Sequence, residues 1–235
     1  MPDWFDFAGK RSAALGVYIK AYPSVPIAKE RVSNETVPGR SGSLTTTEGE
    51  AVYDDIVLSL PCRMGGLADI DQVAAWLRGD GVLVLGDTPT RYYKARCSNQ
   101  MDLARILRCM DTREFNAVFR CDPYRYIFPQ PAAKTCTTSP DSINNPGTVD
   151  AVPFITVVGS GDIDLTVGAR TIHIAGLASS ITIDADTGFA LNGTTDLTST
   201  VTFDAYPWTI PPGINAVSWT GAVTGVTITR PWRYV

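Results

Sequence analysis

The sequence predicts a mainly β protein of two domains: a β-rich first domain with one α-helix, then an antiparallel β-sandwich. Three observations carry this. Apolar and polar residues alternate in many short segments, and 20 glycines and 16 prolines punctuate them. One stretch alone shows the three-to-four-residue apolar spacing of a well-formed helix. The composition also changes near residue 140: every cysteine, methionine, lysine and glutamate lies before it, and beyond it three arginines face eight aspartates. The change coincides with Pro129-Gln130-Pro131 and Thr135-Cys136-Thr137-Thr138-Ser139-Pro140, the punctuation of a domain boundary. The expected domains are 1–135 and 136–235.

In the first domain, Val37-Pro38-Gly39-Arg40-Ser41-Gly42 and the small polar residues up to Gly49 read as a long extension between strands. Val52–Leu60 reads as a strand. Leu67–Asp80 is the predicted helix, with Asp69 as N-cap and Gly79 as its stop. Its apolar stripe is Ile70, Val73, Ala74 and Leu77. Strands are expected at Val82–Leu85, Arg91–Cys97 and Glu114–Cys121. Leu103–Met110 fits a helix face or a strand, and strand is the assignment taken.

In the second domain the alternating pairs and triplets are Ile163/Leu165/Val167, Ile172/Ile174, Ile181/Ile183, Val201/Phe203, Val217/Trp219 and Val226/Ile228. About eight short strands with turns every ~8–12 residues suit a two-sheet antiparallel sandwich. Asn192-Gly193 is a hairpin turn, because both residues tolerate positive φ. Pro211-Pro212-Gly213 is a further break.

Composition excludes several functions. A net charge of −4 argues against nucleic acid or an anionic membrane as the main partner. No run of ~18 apolar residues is present to span a bilayer. Asp3 and Asp6 stand where a signal peptide carries bases. The single histidine, His173, rules out a multi-histidine zinc site, and its phase against Ile172 and Ile174 puts it on a strand surface. Five cysteines without a C-x-x-C pair read as reduced thiols. Asp184-Ala185-Asp186-Thr187-Gly188 falls short of a calcium loop: its glycine comes one place early, and Thr195 stands where a bidentate Glu is needed. The acid pairs Asp54/Asp55 and Asp162/Asp164 lack a recognisable cleft. No catalytic, metal-binding or cofactor-binding residue is therefore expected, and the chain is read as a non-enzyme. The basic residues from Arg91 to Arg125, interleaved with tyrosines, read as a protein interface before a nucleic-acid site.

Several segments carry a family resemblance across nearly the whole chain. Phe7-Ala8-Gly9-Lys10-Arg11-Ser12 with Leu15-Gly16-Val17 is similar to an opening strand. Val37-Pro38-Gly39-Arg40-Ser41-Gly42 is similar to a V-P-G-R-D-G signature, with Ser41 where Asp is usual. Ala75-Trp76-Leu77 and Gly81-Val82-Leu83-Val84-Leu85 follow a helix-then-strand pattern, and Phe119-Arg120-Cys121-Asp122-Pro123-Tyr124 an F-x-C-x-P-Y pattern. Asn145-Pro146-Gly147, Gly161-Asp162-Ile163, Ile183-Asp184 and Pro212-Gly213-Ile214-Asn215-Ala216-Val217-Ser218-Trp219-Thr220-Gly221 complete the series. In order and spacing these resemble the distal tail proteins of long-tailed, non-contractile bacteriophages.

That resemblance implies a first domain that forms a homohexameric ring and a galectin-like second domain. It implies a place at the virion tail tip, joining the tail tube to the host-recognition baseplate, after synthesis in the host bacterial cytoplasm. The implied partners are further copies of the chain, the tube protein, the tape-measure protein, a tail-associated hub protein and, in some relatives, receptor-binding proteins. DNA would meet the ring only in transit through its channel. Val37, Pro38, Gly39, Arg40, Ser41 and Gly42 are the candidate ring-interface loop. The alternative is a carbohydrate-binding module attaching the tail tip to cell-surface polysaccharide, with Trp208 and Trp219 as sugar-stacking candidates beside Trp232. The competing role for these tryptophans is core packing.

Overall fold

The computed structural model describes residues 3–47, 52–65, 68–105, 112–229 and 231–235. Two compact units are present, Met1–Phe128 with Val235, and Pro129–Tyr234. The division falls at the Pro129-Gln130-Pro131 punctuation. Leu67, Cys109, Arg230, the Glu48-Gly49 end of the long extension and most of Leu103–Met110 lie outside the described residues.

The first unit contains β1 (Phe5–Phe7), β2 (Lys10–Arg11), β3 (Val17–Ile19), β4 (Val32–Thr36), β5 (Ser43–Thr47), β6 (Ile56–Met64), α1 (Ile70–Trp76), β7 (Asp80–Leu85), β8 (Arg91–Cys97), β9 (Ala104–Arg105) and β10 (Arg113–Ile127). Its main sheet runs β2-β1-β7-β8-β10-β6-β3, with β9 also on β10; every neighbouring pair is antiparallel. Period-two burial sets the register. Ile56, Leu58, Leu60, Cys62 and Met64 of β6 and Phe115, Ala117, Phe119 and Cys121 of β10 all point into the core.

The predicted Val52–Leu60 strand begins later and runs further. Asp54 and Asp55 stay outside the ladder, and Pro61 sits within it opposite Asn116. A proline normally demotes a strand, yet the buried alternation continues beyond it to Met64.

The predicted helix shortens to Ile70–Trp76. Asp69 caps it, its carboxylate accepting from the backbone N–H of Asp71 at 2.9 Å and Gln72 at 3.4 Å. The chain then turns at Gly79, where φ is +86°, directly into β7. Val73 and Leu77 are buried as the stripe requires, and so is Trp76. The Trp76 indole stacks on Phe5 at 5.3 Å between ring centroids and donates to the Phe7 carbonyl at 2.8 Å. One aromatic side chain thus pins the helix to the first strand.

The second unit contains β11 (Lys134–Cys136), β12 (Asp141–Asn145), β13 (Phe154–Val167), β14 (Arg170–Leu177), β15 (Ser180–Asp184), β16 (Ala190–Asn192), β17 (Thr195–Asp196), β18 (Val201–Phe203) and β19 (Gly213–Thr229). Strand order is β11-β19-β13-β15-β16-β17; β12 also pairs β19, β14 pairs β13, and β18 pairs β14. All these pairs are antiparallel. The Asn192-Gly193 turn joins β16 to β17, with Asn192 opposite Thr195.

Two strands are much longer than the alternation suggested. Val217/Trp219 and Val226/Ile228 belong to one strand of 17 residues, and β13 has 14. Their mutual register shifts between Val158 and Gly159 and again between Ser160 and Asp164. At these bulges the backbones come too close for side chains. A Cβ at Gly221, where φ is +90°, would strike the Asp162 carbonyl, and one at Gly159 the Ala222 carbonyl. Glycine there lets the two long strands stay paired across the register shifts.

Candidate assembly interface

The 37–42 segment is the tip of a hairpin arm. β4 and β5 pair in register from Val32–Thr47 to Thr36–Ser43 and form a two-stranded sheet of their own. Ser43–Thr47, expected as loop, is therefore strand. At the tip the Arg40 N–H donates to the Val37 carbonyl at 3.2 Å. Gly39 has φ +82°, so Pro38-Gly39 occupies the central positions of a type II turn. Gly42, φ +81°, makes the second reversal. Across the arm the Thr45 hydroxyl donates to Asn34 Oδ1 at 2.7 Å.

The base of the arm is anchored. Arg31 N–H donates to the Val52 carbonyl at 2.8 Å and Asp54 N–H to the Lys29 carbonyl at 2.9 Å. Arg31 pairs with Asp54 at 3.0 Å. Beyond this base, every residue of the arm from Ser33 to Thr47 is exposed, including Leu44 and the tip residues Val37, Pro38, Gly39, Arg40, Ser41 and Gly42.

The tryptophans divide. Trp208 has no exposed surface, and Trp232 is also buried. Trp208 thus presents no ring face to a sugar, which corrects the stacking role considered for it. Its Nε1–H has no hydrogen-bond partner among the described residues. Trp219 lies half-buried on β19. The signal for Trp208 was weak in the sequence because no regular alternation brackets it.

Carboxylates stand among the basic residues of β8 and β10. Arg120 pairs with Asp55 at 2.7 Å and Arg96 with Asp80 at 3.7 Å. The Lys94 ammonium lies 5.0 Å from the Tyr126 ring centroid. Burial pushes the Asp122 carboxyl above its ordinary range, opposed by Lys94 and reinforced by Asp55.

The remaining candidates serve structure. His173 is exposed on β14, with Nδ1 2.6 Å from the Asp164 carboxylate. Asp162 accepts from the Gly176 N–H at 2.8 Å. Asp184 closes its own turn by accepting from the Asp186 N–H at 3.0 Å and the Thr187 hydroxyl at 2.8 Å. Cys62, Cys121 and Cys136 are buried and outside any disulfide among the described residues, and Cys97 is half-buried. Burial pushes the Cys62 and Cys121 thiols up to about 12, so both stay protonated and unreactive at neutral pH.

No protein-family model matches the sequence, and no curated protein does. Among solved structures, the fold is that of phage distal tail hub proteins: mainly β, with an N-terminal sheet domain and a C-terminal antiparallel domain. The structure in question is the crystal structure of the SPP1 Dit protein, described as a paradigm of the hub adsorption apparatus in phages infecting Gram-positive hosts. The match has a TM-score of 0.77 and covers 98% of this chain and 99% of that one, at 15% sequence identity. The likeness is one of fold.

Proposed function

We propose that the chain is a structural component of a phage tail tip, forming a hexameric ring between the tail tube and the host-recognition apparatus, with a central channel for DNA. The observation that carries this is the free-standing arm of β4 and β5, within a fold matched over nearly its full length by a tail hub protein. A lone two-stranded hairpin is marginal in water. An exposed arm held only at its base therefore gains most by lying on another molecule. A contact between an arm and a different surface of the next copy is heterologous, and such contacts close into rings when the rotation permits.

The neighbours in this role are the tube protein, the tape-measure protein, a tail-associated hub protein and receptor-binding proteins. The function lies in shape: Asp55, Asp80 and Asp122 stand among Lys94, Arg96 and Arg120, so that face offers no continuous cationic stripe to hold DNA.

Light scattering on the purified full chain tests the proposal. Six copies of a 25.3 kDa chain give a particle of about 152 kDa. A protein that remains monomeric at every attainable concentration, alone and with tube protein added, would overturn it.

A further inference from the structure

On the outer face of the first unit's sheet, one row crosses four strands. Asp80 of β7 faces Arg96 of β8, Arg96 faces Arg120 of β10, and Arg120 faces Val57 of β6. All four side chains are exposed. Like charges directly opposite each other in a sheet are unfavourable, so the Arg96–Arg120 juxtaposition needs neutralising. Asp55 serves Arg120 at 2.7 Å. Asp80 lies 3.7 Å from Arg96, with the two side chains 77% and 67% exposed, a loose pair of little strength.

Lys94, one row on, adds a third cation. Asp122 stands near it, its carboxyl pushed up by burial and held down by Lys94. These residues line one shallow groove with Asp55 and Asp80. Two exposed apolar side chains flank it, Val57 at 58% and Val82 at 39%.

The groove thus fits an extended segment that brings one carboxylate next to one apolar side chain. The arm of β4 and β5 carries that pair: Glu35 and Leu44 are cross-strand partners, both exposed. Cross-strand partners project from the same side of a hairpin, so both can meet one surface. A longer polyanion would run into Asp55 and Asp80 on either side of the arginines.

We infer that this groove receives the arm of a second copy, with Glu35 seated between Arg96 and Arg120 and Leu44 against the valine rim. The inference rests on the ring proposal and names the surface that each arm grips. Charge complementarity of this kind fixes register and steers association.

Charge reversal in the full chain tests it, with assembly followed by light scattering and native mass spectrometry. Glu35→Lys should weaken assembly about a hundredfold, and Arg96→Glu with Arg120→Glu should do the same. Glu35→Gln should fall between wild type and Glu35→Lys. Combining Glu35→Lys with Arg120→Glu should restore most of the loss, which a merely structural effect would not do. Thermal unfolding of each variant checks that the fold is retained. If the wild type assembles and Glu35→Lys or Glu35→Gln assembles equally well, the docking site is wrong and the ring stands. If the wild type never assembles, both fall.

Discussion

Trp208 and Trp219 show how differently two tryptophans in one domain can be used. Trp208 is enclosed with an indole N–H that finds no partner among the described residues. The unmet donor opposes folding, and the buried ring area outweighs it. Trp208→Ala should therefore destabilise the second unit by about 3–5 kcal/mol in denaturant titration. Trp219→Ala, at a half-buried position, should lose much less. Trp208→Phe removes the orphan donor while retaining a ring, and should cost clearly less than the alanine change. The single residues whose roles were legible in the sequence are those governed by local rules. Asp69 caps its helix, and His173 faces outward by strand phase. The pairing of Arg120 with Asp55 was not legible, because the partners are 65 positions apart and meet only through the β6–β10 register.

At the level of elements, the arm contributes to the molecule without supporting its core. Residues 33–47 are exposed, and β4 and β5 pair with each other and not with the main sheet. Replacing residues 33–46 by a short Gly-Ser linker should leave the thermal unfolding of the monomer nearly unchanged while abolishing assembly. A large drop in melting temperature would show that the arm packs on its own unit. The turn chemistry of Pro38-Gly39 was readable, yet the paired flanks were not. Serine and threonine strands without buried faces give no hydrophobic alternation to detect. The opposite failure occurred in β13 and β19. Their glycine bulges look like strand ends in a sequence, because Gly159, Gly161 and Gly221 interrupt the pattern where the backbone in fact continues. β8, with no such interruption, has the bounds its alternation predicted.

For the whole molecule, two units with separate cores should unfold in two steps, in departure from two-state behaviour. The tryptophans report on each: Trp76 is buried in the first core, and Trp208 and Trp232 are buried in the second unit. Denaturation followed by fluorescence, with Trp76→Phe as the control, should separate the transitions; one coincident transition by every probe would show that the units unfold together. The composition change near residue 140 and the Pro129-Gln130-Pro131 punctuation pointed to two parts; the compact units divide at Phe128–Pro129, so Lys134 and Cys136 fall in the second. The continuity of the second unit's ladder was not legible, since long-range pairing through bent strands leaves no local mark.

The second unit pairs its first strand with its last long one. Its first strand, β11, lies antiparallel along the end of its last long strand, β19, with Lys134 beside Ile228. A ladder closed in this way leans little on the turns between its strands, and turns are where a fold accepts insertions. Length can then vary at the turns of the second unit while the β11–β19 pairing that ties its two ends together stays as it is.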